Sequence, residues 1–264
     1  MLLERFLWAK ADEVARLRQQ ERKGALPVPF SGQRGDFIAA LQRREAGVPL
    51  TVIAEFKQAS PSRGPICRSL TVEEAARQYV AAGAGALSIL TERRFFAGEL
   101  DFLGRAAACC PGTPLLRKDF IFDPLQVRAT AATPAAALLL IVALTPDAAL
   151  LRRLREQAES LGMQAVVEVC GKKDLVLARE SGARIIQVNA RDLDTLRVDR
   201  QACLELARQC PPERGEIWIA ASGMDRREHL EEAARAGFSA ALVGTALMQE
   251  GQPGAGREDG HHAA

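Results

Sequence analysis

Two lysines and two carboxylates set the chemistry open to this chain. Glu55 and Lys57 close one short apolar run, Lys118 closes another, and Glu168 lies in a third. Ammonium and carboxylate groups gathered in a partly dry cavity shift one another's pKa, as proton transfer near neutral pH requires. A ring of structural ion pairs is the competing explanation, and four such residues together favour a site. Asn189 and Arg191 follow a further run. Ser222-Gly223 and Gly244-Thr245 follow the last two runs. Such turns bind phosphate through backbone N–H groups, with glycine letting the backbone approach the anion. The segment Ala59-Ser60-Pro61-Ser62-Arg63-Gly64-Pro65 is polar and proline-stiffened; it reads equally as a flap over a ligand or as a surface connection.

The elements that position these residues follow a rhythm. Leu50–Phe56, Ala86–Leu90, Leu115–Lys118, Ala137–Val142, Ala165–Val169, Arg184–Asn189, Ile217–Ala221 and Ala240–Val243 are short β-branched or leucine-rich runs. They begin roughly 20 to 35 residues apart, the length of a βα unit, with stretches rich in Ala, Glu and Arg between them. The runs do not alternate strictly, which suits parallel strands buried on both faces. Eight such units predict an α/β fold, a closed (β/α)8 TIM barrel, with the site at the C-terminal ends of the strands. No G-x-G-x-x-G follows the first strand, which argues against a dinucleotide fold. Before the first strand, Leu3, Phe6, Leu7, Lys10, Val14 and Leu17 recur at helical spacing, and Asp36–Arg44 reads as a second short helix. The organisation expected is one domain over 1–250, including an N-terminal helical extension over 1–47, and a disordered tail over 251–264.

Composition excludes several classes. A charged fraction of 26% and a net charge of +2 give no reason to expect nucleic acid or an acidic membrane as partner. The longest apolar run, Ala135–Leu144, falls short of the ~20 residues that span a bilayer. Glu4 and Arg5 interrupt the only N-terminal apolar stretch, so no signal peptide is expected and the cytoplasm is the expected compartment. The cysteines at 67, 109, 110, 170, 203 and 210 form no CxxC pair and have no His at ligand spacing. They are expected to be reduced and mostly buried, with no metal bound. A monomer is expected, since no unexplained apolar surface stripe is evident.

The residues also resemble one family closely. Ile53-Ala54-Glu55-Phe56-Lys57-Gln58-Ala59-Ser60-Pro61-Ser62-Arg63-Gly64 is similar to the first-strand signature of indole-3-glycerol phosphate synthase. Leu116-Arg117-Lys118-Asp119-Phe120-Ile121 is similar to its third-strand motif. Val167-Glu168-Val169, Val188-Asn189-Ala190-Arg191-Asp192-Leu193 and Val243-Gly244-Thr245-Ala246-Leu247-Met248 resemble the later ones. The resemblance implies closure of an indole ring from 1-(2-carboxyphenylamino)-1-deoxyribulose 5-phosphate, with loss of CO2 and water and no cofactor or metal. It implies Lys118 as general acid, Glu168 as general base, Lys57 as a hold on the anionic substrate that helps expel water, and Glu55 as the group that orients the lysines. By the same resemblance Asn189 bonds substrate hydroxyls, Arg191, Ser60 and Ser222 help bind the substrate, and Gly223, Gly244 and Thr245 cradle the phosphate.

Five positions depart from the pattern. Ala220-Ala221-Ser222-Gly223 stands where the family reads Ala-Glu-Ser-Gly, so a site carboxylate is missing. Gln187 stands at a usual glycine, Ala190 at a usual Asn or Ser, and Pro134-Ala135-Ala136 where Gly-Ala-Asp is usual. The chain reads as a working synthase with a drifted site; the alternatives are a paralogue retuned for another phosphorylated sugar derivative and a catalytically weak ligand binder. Neither Pro134 nor Gln187 needs to touch the substrate on this reading. A phosphosugar isomerase would want a Cys/Asp or Asp/Asp pair at the strand ends, where Glu55 and Lys57 stand instead.

Overall fold

Eight parallel strands close on themselves: β1 (Thr51–Phe56), β2 (Ala86–Leu90), β3 (Leu115–Lys118), β4 (Ala137–Ile141), β5 (Gln164–Val169), β6 (Ile185–Asn189), β7 (Ile217–Ala221) and β8 (Ala240–Val243). Each pairs with its sequence neighbours, and β1 pairs with both β2 and β8, Ile53 opposite Ala86 and Thr51 opposite Ala240. The computed structural model describes residues 2–43, 47–61, 64–66, 70–192 and 195–244. The expected strands all form, each within one residue of its expected ends. Thr245, Cys67 and the tail over 251–264 lie outside the described residues.

The two faces of the strands explain the missing alternation. Ile53, Leu116, Leu139, Val166, Ile185 and Ile219 belong to one buried cluster that fills the barrel. Ala54, Leu87, Leu138, Val167, Ile186 and Ala220 belong to another, beneath the surrounding helices. Both faces being dry, apolar residues run on without a polar beat. Along the inward face the chemistry then changes toward the C-terminal end: Ile53 gives way to Glu55, Leu116 to Lys118, Val166 to Glu168 and Ile185 to Gln187 and Asn189. An apolar plug thus supports a polar mouth.

The helices are α1 (Leu2–Arg22), α2 (Phe37–Gln42), α3 (Val72–Ala81), α4 (Arg93–Phe96), α5 (Phe102–Cys109), α6 (Pro124–Ala131), α7 (Ala148–Ser160), α8 (Lys172–Glu180), α9 (Arg200–Gln209) and α10 (Arg227–Arg235). Local chemistry starts them where they are needed. Thr71 and Glu74 form a capping box on α3, and Asp123 with Gln126 forms another on α6, where Pro124 supplies the first helical φ. The helices α3, α8 and α10 lead into glycines of positive φ, Gly83, Gly182 and Gly237, as their Gly-small endings imply. Arg34 donates to the carbonyls of Ala131 at 2.7 Å and Ala135 at 2.9 Å, and to that of Thr133. Pro134 therefore lies in the turn after α6, at the end of the barrel away from the mouth.

The extension spans the barrel from top to bottom. Phe6 of α1 reaches the inner cluster at the mouth, while Leu17 packs on Leu125 and Ala129 of α6. The buried Phe37 and Leu41 of α2 join the same inner cluster, and Thr51 Oγ at the start of β1 donates to the Ala40 and Arg43 carbonyls. A buried ionic cluster fixes α1 at the top. Lys10 Nζ donates to Asp119 at 3.0 Å, Arg117 donates to Asp119 at 2.7 Å and to Glu13 at 3.1 Å, and Thr91 Oγ donates to Asp119 at 2.6 Å. Burial alone would raise the Asp119 carboxyl, but Arg117, Lys10 and Thr91 outweigh it and hold it at about 2 against 3.8. A depressed carboxyl contributes stability that is present above its unfolded pKa and is lost as pH falls through the folded value. Acid titration of the near-ultraviolet circular dichroism should therefore show α1 releasing between about pH 4 and about pH 2; release complete above pH 5 would rule Asp119 out as the cause.

The cysteine expectation needs one correction. Those described are free thiols, but only Cys110 and Cys203 are buried, while Cys170 is exposed after β5. A strand-end position facing the loops, not the core, explains it.

Candidate active site

Four strand ends bring the predicted ionisable residues together. Lys118 Nζ lies 3.5 Å from Glu168 Oε2. Glu55 and Lys57 form an ion pair, and each side chain is less than one-sixth exposed. Glu55, Lys57, Lys118, Glu168, Asn189, Ser60, Arg191, Ser222, Gly223 and Gly244 all line one cleft at the mouth.

The charges sustain one another. Burial works against the Lys118 ammonium, yet Glu168 and Glu55 more than offset it and hold its pKa above the ordinary 10.5. Burial would likewise raise Glu55, and Lys57, Lys118 and Arg191 together bring it below the ordinary carboxylate value. Lys118 therefore carries its charge at neutral pH, and Glu55 is a fixed counter-charge to both lysines.

Glu168 is 1% exposed and held on both carboxylate oxygens. Asn189 Nδ2 donates to Oε1 at 3.0 Å, and Gln187 Nε2 donates to Oε2. The Asn189 carbonyl oxygen accepts from Ser222 Oγ at 2.9 Å and from the Arg191 N–H at 3.0 Å. Asn189 thus ties three strand ends together. Arg191 also donates to the Leu196 carbonyl at 2.9 Å. Ala221 faces Asn189 across the β6–β7 register and is 2% exposed, so the position of the missing carboxylate lies within the ring of site residues.

The two glycine turns differ in what they require. Ser222 and Gly223 both have positive φ, 68° and 73°. Serine pays a steric penalty there, and its hydroxyl bond to Asn189 offsets it. Gly244 is demanded by space: a Cβ there would come within 2.6 Å of Lys57 Nζ, 2.7 Å of Glu55 Oε1 and 3.3 Å of Glu55 Cβ. Gly244→Ala should therefore displace the Glu55–Lys57 pair and lower kcat/KM by about 10- to 100-fold. Steady-state kinetics check this, and a change under twofold would show that the pair can move aside freely.

Three features of the cleft take their meaning only from the fold. Phe6 stacks on Phe120 with ring centres 4.1 Å apart and meets Phe95 edge-on at 5.2 Å, while Phe96 lies 6.1 Å from Phe120. Phe6, Phe96, Phe120, Leu139, Ile141 and Leu242 give the cleft an apolar wall that fits a flat ring. Phe6 and Phe120 lie 114 residues apart in the chain, too far for periodicity to join them. Second, Glu92 is buried at the cleft but accepts from the Arg94 and Phe95 N–H groups, so it caps α4. Third, Gln187, set aside from its position alone, contacts Glu168 directly. The segment after β1 forms a short hairpin, Ala59–Ser60 against Gly64–Pro65, with Ser60 buried at the cleft. Among the described residues, no group of three His, Cys, Asp or Glu side chains is placed to hold a metal ion, and no helix is long and apolar enough to cross a membrane.

Comparison with known proteins gives consistent matches along the chain. Residues 3–256 match the family model described as indole-3-glycerol phosphate synthase. The indole-3-glycerol phosphate synthase of Chloroherpeton thalassium is 42% identical over 254 residues, covering 93% of this chain and 94% of that one. The Koribacter versatilis protein of the same name is 39% identical over 247 residues, covering 94% and 91%. A crystal structure of 3-hexulose-6-phosphate synthase superposes with a TM-score of 0.59 over 78% of this chain and 94% of that one, at 16% identity; that likeness extends to the barrel alone.

Proposed function

The chain belongs to the indole-3-glycerol phosphate synthase family, and from that premise we propose that it converts 1-(2-carboxyphenylamino)-1-deoxyribulose 5-phosphate to indole-3-glycerol phosphate, CO2 and water, as a carboxy-lyase of tryptophan biosynthesis. The observation that carries the reading is a charged lysine and a buried carboxylate 3.5 Å apart at the mouth, Lys118 and Glu168, beside a second lysine, Lys57.

The aromatic carbon bearing the carboxylate attacks the ketone carbon. The ketone oxygen gains charge as the bond forms, and Lys118 gives it a proton. The carboxylate departs as CO2, and its bonding pair restores the aromatic ring. The hydroxyl then leaves as water with a proton from Lys57, while Glu168 takes a proton from the neighbouring methylene carbon, closing the pyrrole double bond. Glu55 keeps the lysines charged and aimed. Asn189, Arg191, Ser60 and Ser222 bind substrate, and Gly223, Gly244 and Thr245 hold the phosphate. The wall of Phe6, Phe96 and Phe120 takes the ring of the substrate. On this reading the enzyme needs no cofactor or metal, works as a monomer in the cytoplasm, and binds neither nucleic acid nor membrane.

Ala221 favours one second reading, a barrel retuned for a related phosphorylated sugar derivative, because it leaves the ring of site residues without one carboxylate. One experiment separates the two. Purified protein incubated with the carboxyphenylamino substrate should gain indole fluorescence; silence with the substrate bound would overturn the first reading in favour of the second.

A further inference from the structure

Gln187 sits where the barrel interior changes from apolar to polar. Its strand neighbour on the inward face is Ile185 below and Asn189 above, and Ile219 lies across the register. The side chain is fully buried, and its Oε1 has no hydrogen-bond partner among the described residues. A buried amide with half its capacity unmet costs stability that an aliphatic residue of the same volume would not. Packing therefore does not account for a glutamine here. The other half of the amide does. Its NH2 donates to Glu168 Oε2, the oxygen that faces Lys118. The opposite orientation of the amide would set its oxygen against the carboxylate, so the donor assignment is fixed by charge.

We infer that Gln187 is a positioning residue for the ring-closure chemistry: it clamps Glu168 from below while Asn189 clamps it from the side, leaving the carboxylate one orientation toward Lys118 and the substrate. Without Gln187, Oε2 keeps only the longer Lys118 contact at 3.5 Å, and the side chain can swing about the Asn189 bond. A proton acceptor free to rotate meets its target carbon less often, which lowers turnover while leaving phosphate-anchored binding intact. This inference rests on the function proposed above and names a supporting residue within it.

The test is Gln187→Met, which keeps volume and removes the donor. Outer partners that orient a reacting group commonly contribute about 10- to 100-fold, as those behind metal ligands do. The expected result is a kcat lower by that factor, KM within about threefold of the parent, and a Tm unchanged or higher. A kcat within twofold of the parent overturns the inference, and so does a kcat loss accompanied by a fall in Tm of more than a few degrees, since that marks a packing role. Crystal structures of parent and variant give a readout that needs no activity: Glu168 should leave its parent torsions in Gln187→Met, and an unmoved carboxylate overturns the inference. Silence of the parent in the fluorescence assay would instead strike the proposed function, with the structural comparison still deciding the role of Gln187.

Discussion

Lys118→Met should lower kcat for ring closure by at least about 1000-fold while KM moves little. General acid catalysis at one oxygen typically contributes about 100- to 10,000-fold, and the upper part of that range applies because the charge forms in a buried site. Methionine keeps the length of lysine and removes its proton and charge. The turns at Gly223 and Gly244 stay as they are, so the phosphate should still be held. Lys57 does not replace it, because on the proposed mechanism its proton goes to the departing hydroxyl in the later step. Single-turnover fluorescence with a substrate titration checks this, and turnover near that of the parent would remove Lys118 from the role of proton donor.

Arg117→Met should destabilise the fold by about 3–5 kcal/mol, the usual cost of removing one partner from a buried ionic cluster. Arg117 is 1% exposed and donates to Asp119, Glu13, Thr91 and Thr130 and to the Gln126 carbonyl. Its loss leaves Lys10 as the cation shared by two carboxylates, Asp119 and Glu13. The exposed pairs elsewhere on α1, Arg18 with Asp123 and Arg94 with Asp12, contribute only about 0–1 kcal/mol each. Urea denaturation of Arg117→Met beside Arg18→Met should show that contrast. A difference under about 1 kcal/mol between the two variants would mean that the apolar contacts of Phe6 and Leu17 hold α1 without the cluster.

The barrel was legible because its signal is local and repeated. Each strand is a short apolar run ending in polar residues, and such runs need no knowledge of their neighbours. Glu55, Lys57, Lys118 and Glu168 could be picked out because polar residues at the C-terminal ends of strands point at the mouth whatever the pairing. What the sequence withheld was contact between distant segments. Nothing in Phe6 says that it stacks on Phe120, and nothing in Glu92 distinguishes a helix cap from a site carboxylate. Gln187 was visible as an oddity, but its meaning depends on β5 and β6 being adjacent with Glu168 opposite Gln187 in register. The Ala221 gap was likewise visible, and its surroundings became clear only once Asn189 faced it.

The placement of α1 has a consequence for how the chain is made. Its tertiary contacts run to Arg94, Phe95, Arg117, Phe120, Asp123 and Leu125, and the Lys10–Asp119 bond spans 109 residues. During synthesis α1 therefore leaves the ribosome with nothing to dock on until half of the barrel has followed it. Through that interval its apolar stripe stays unpartnered, and closing so long a loop delays the last step of assembly. A helix made well before its partners is thus seated late, and the seating that completes the aromatic wall is also the one that closes the buried ionic cluster.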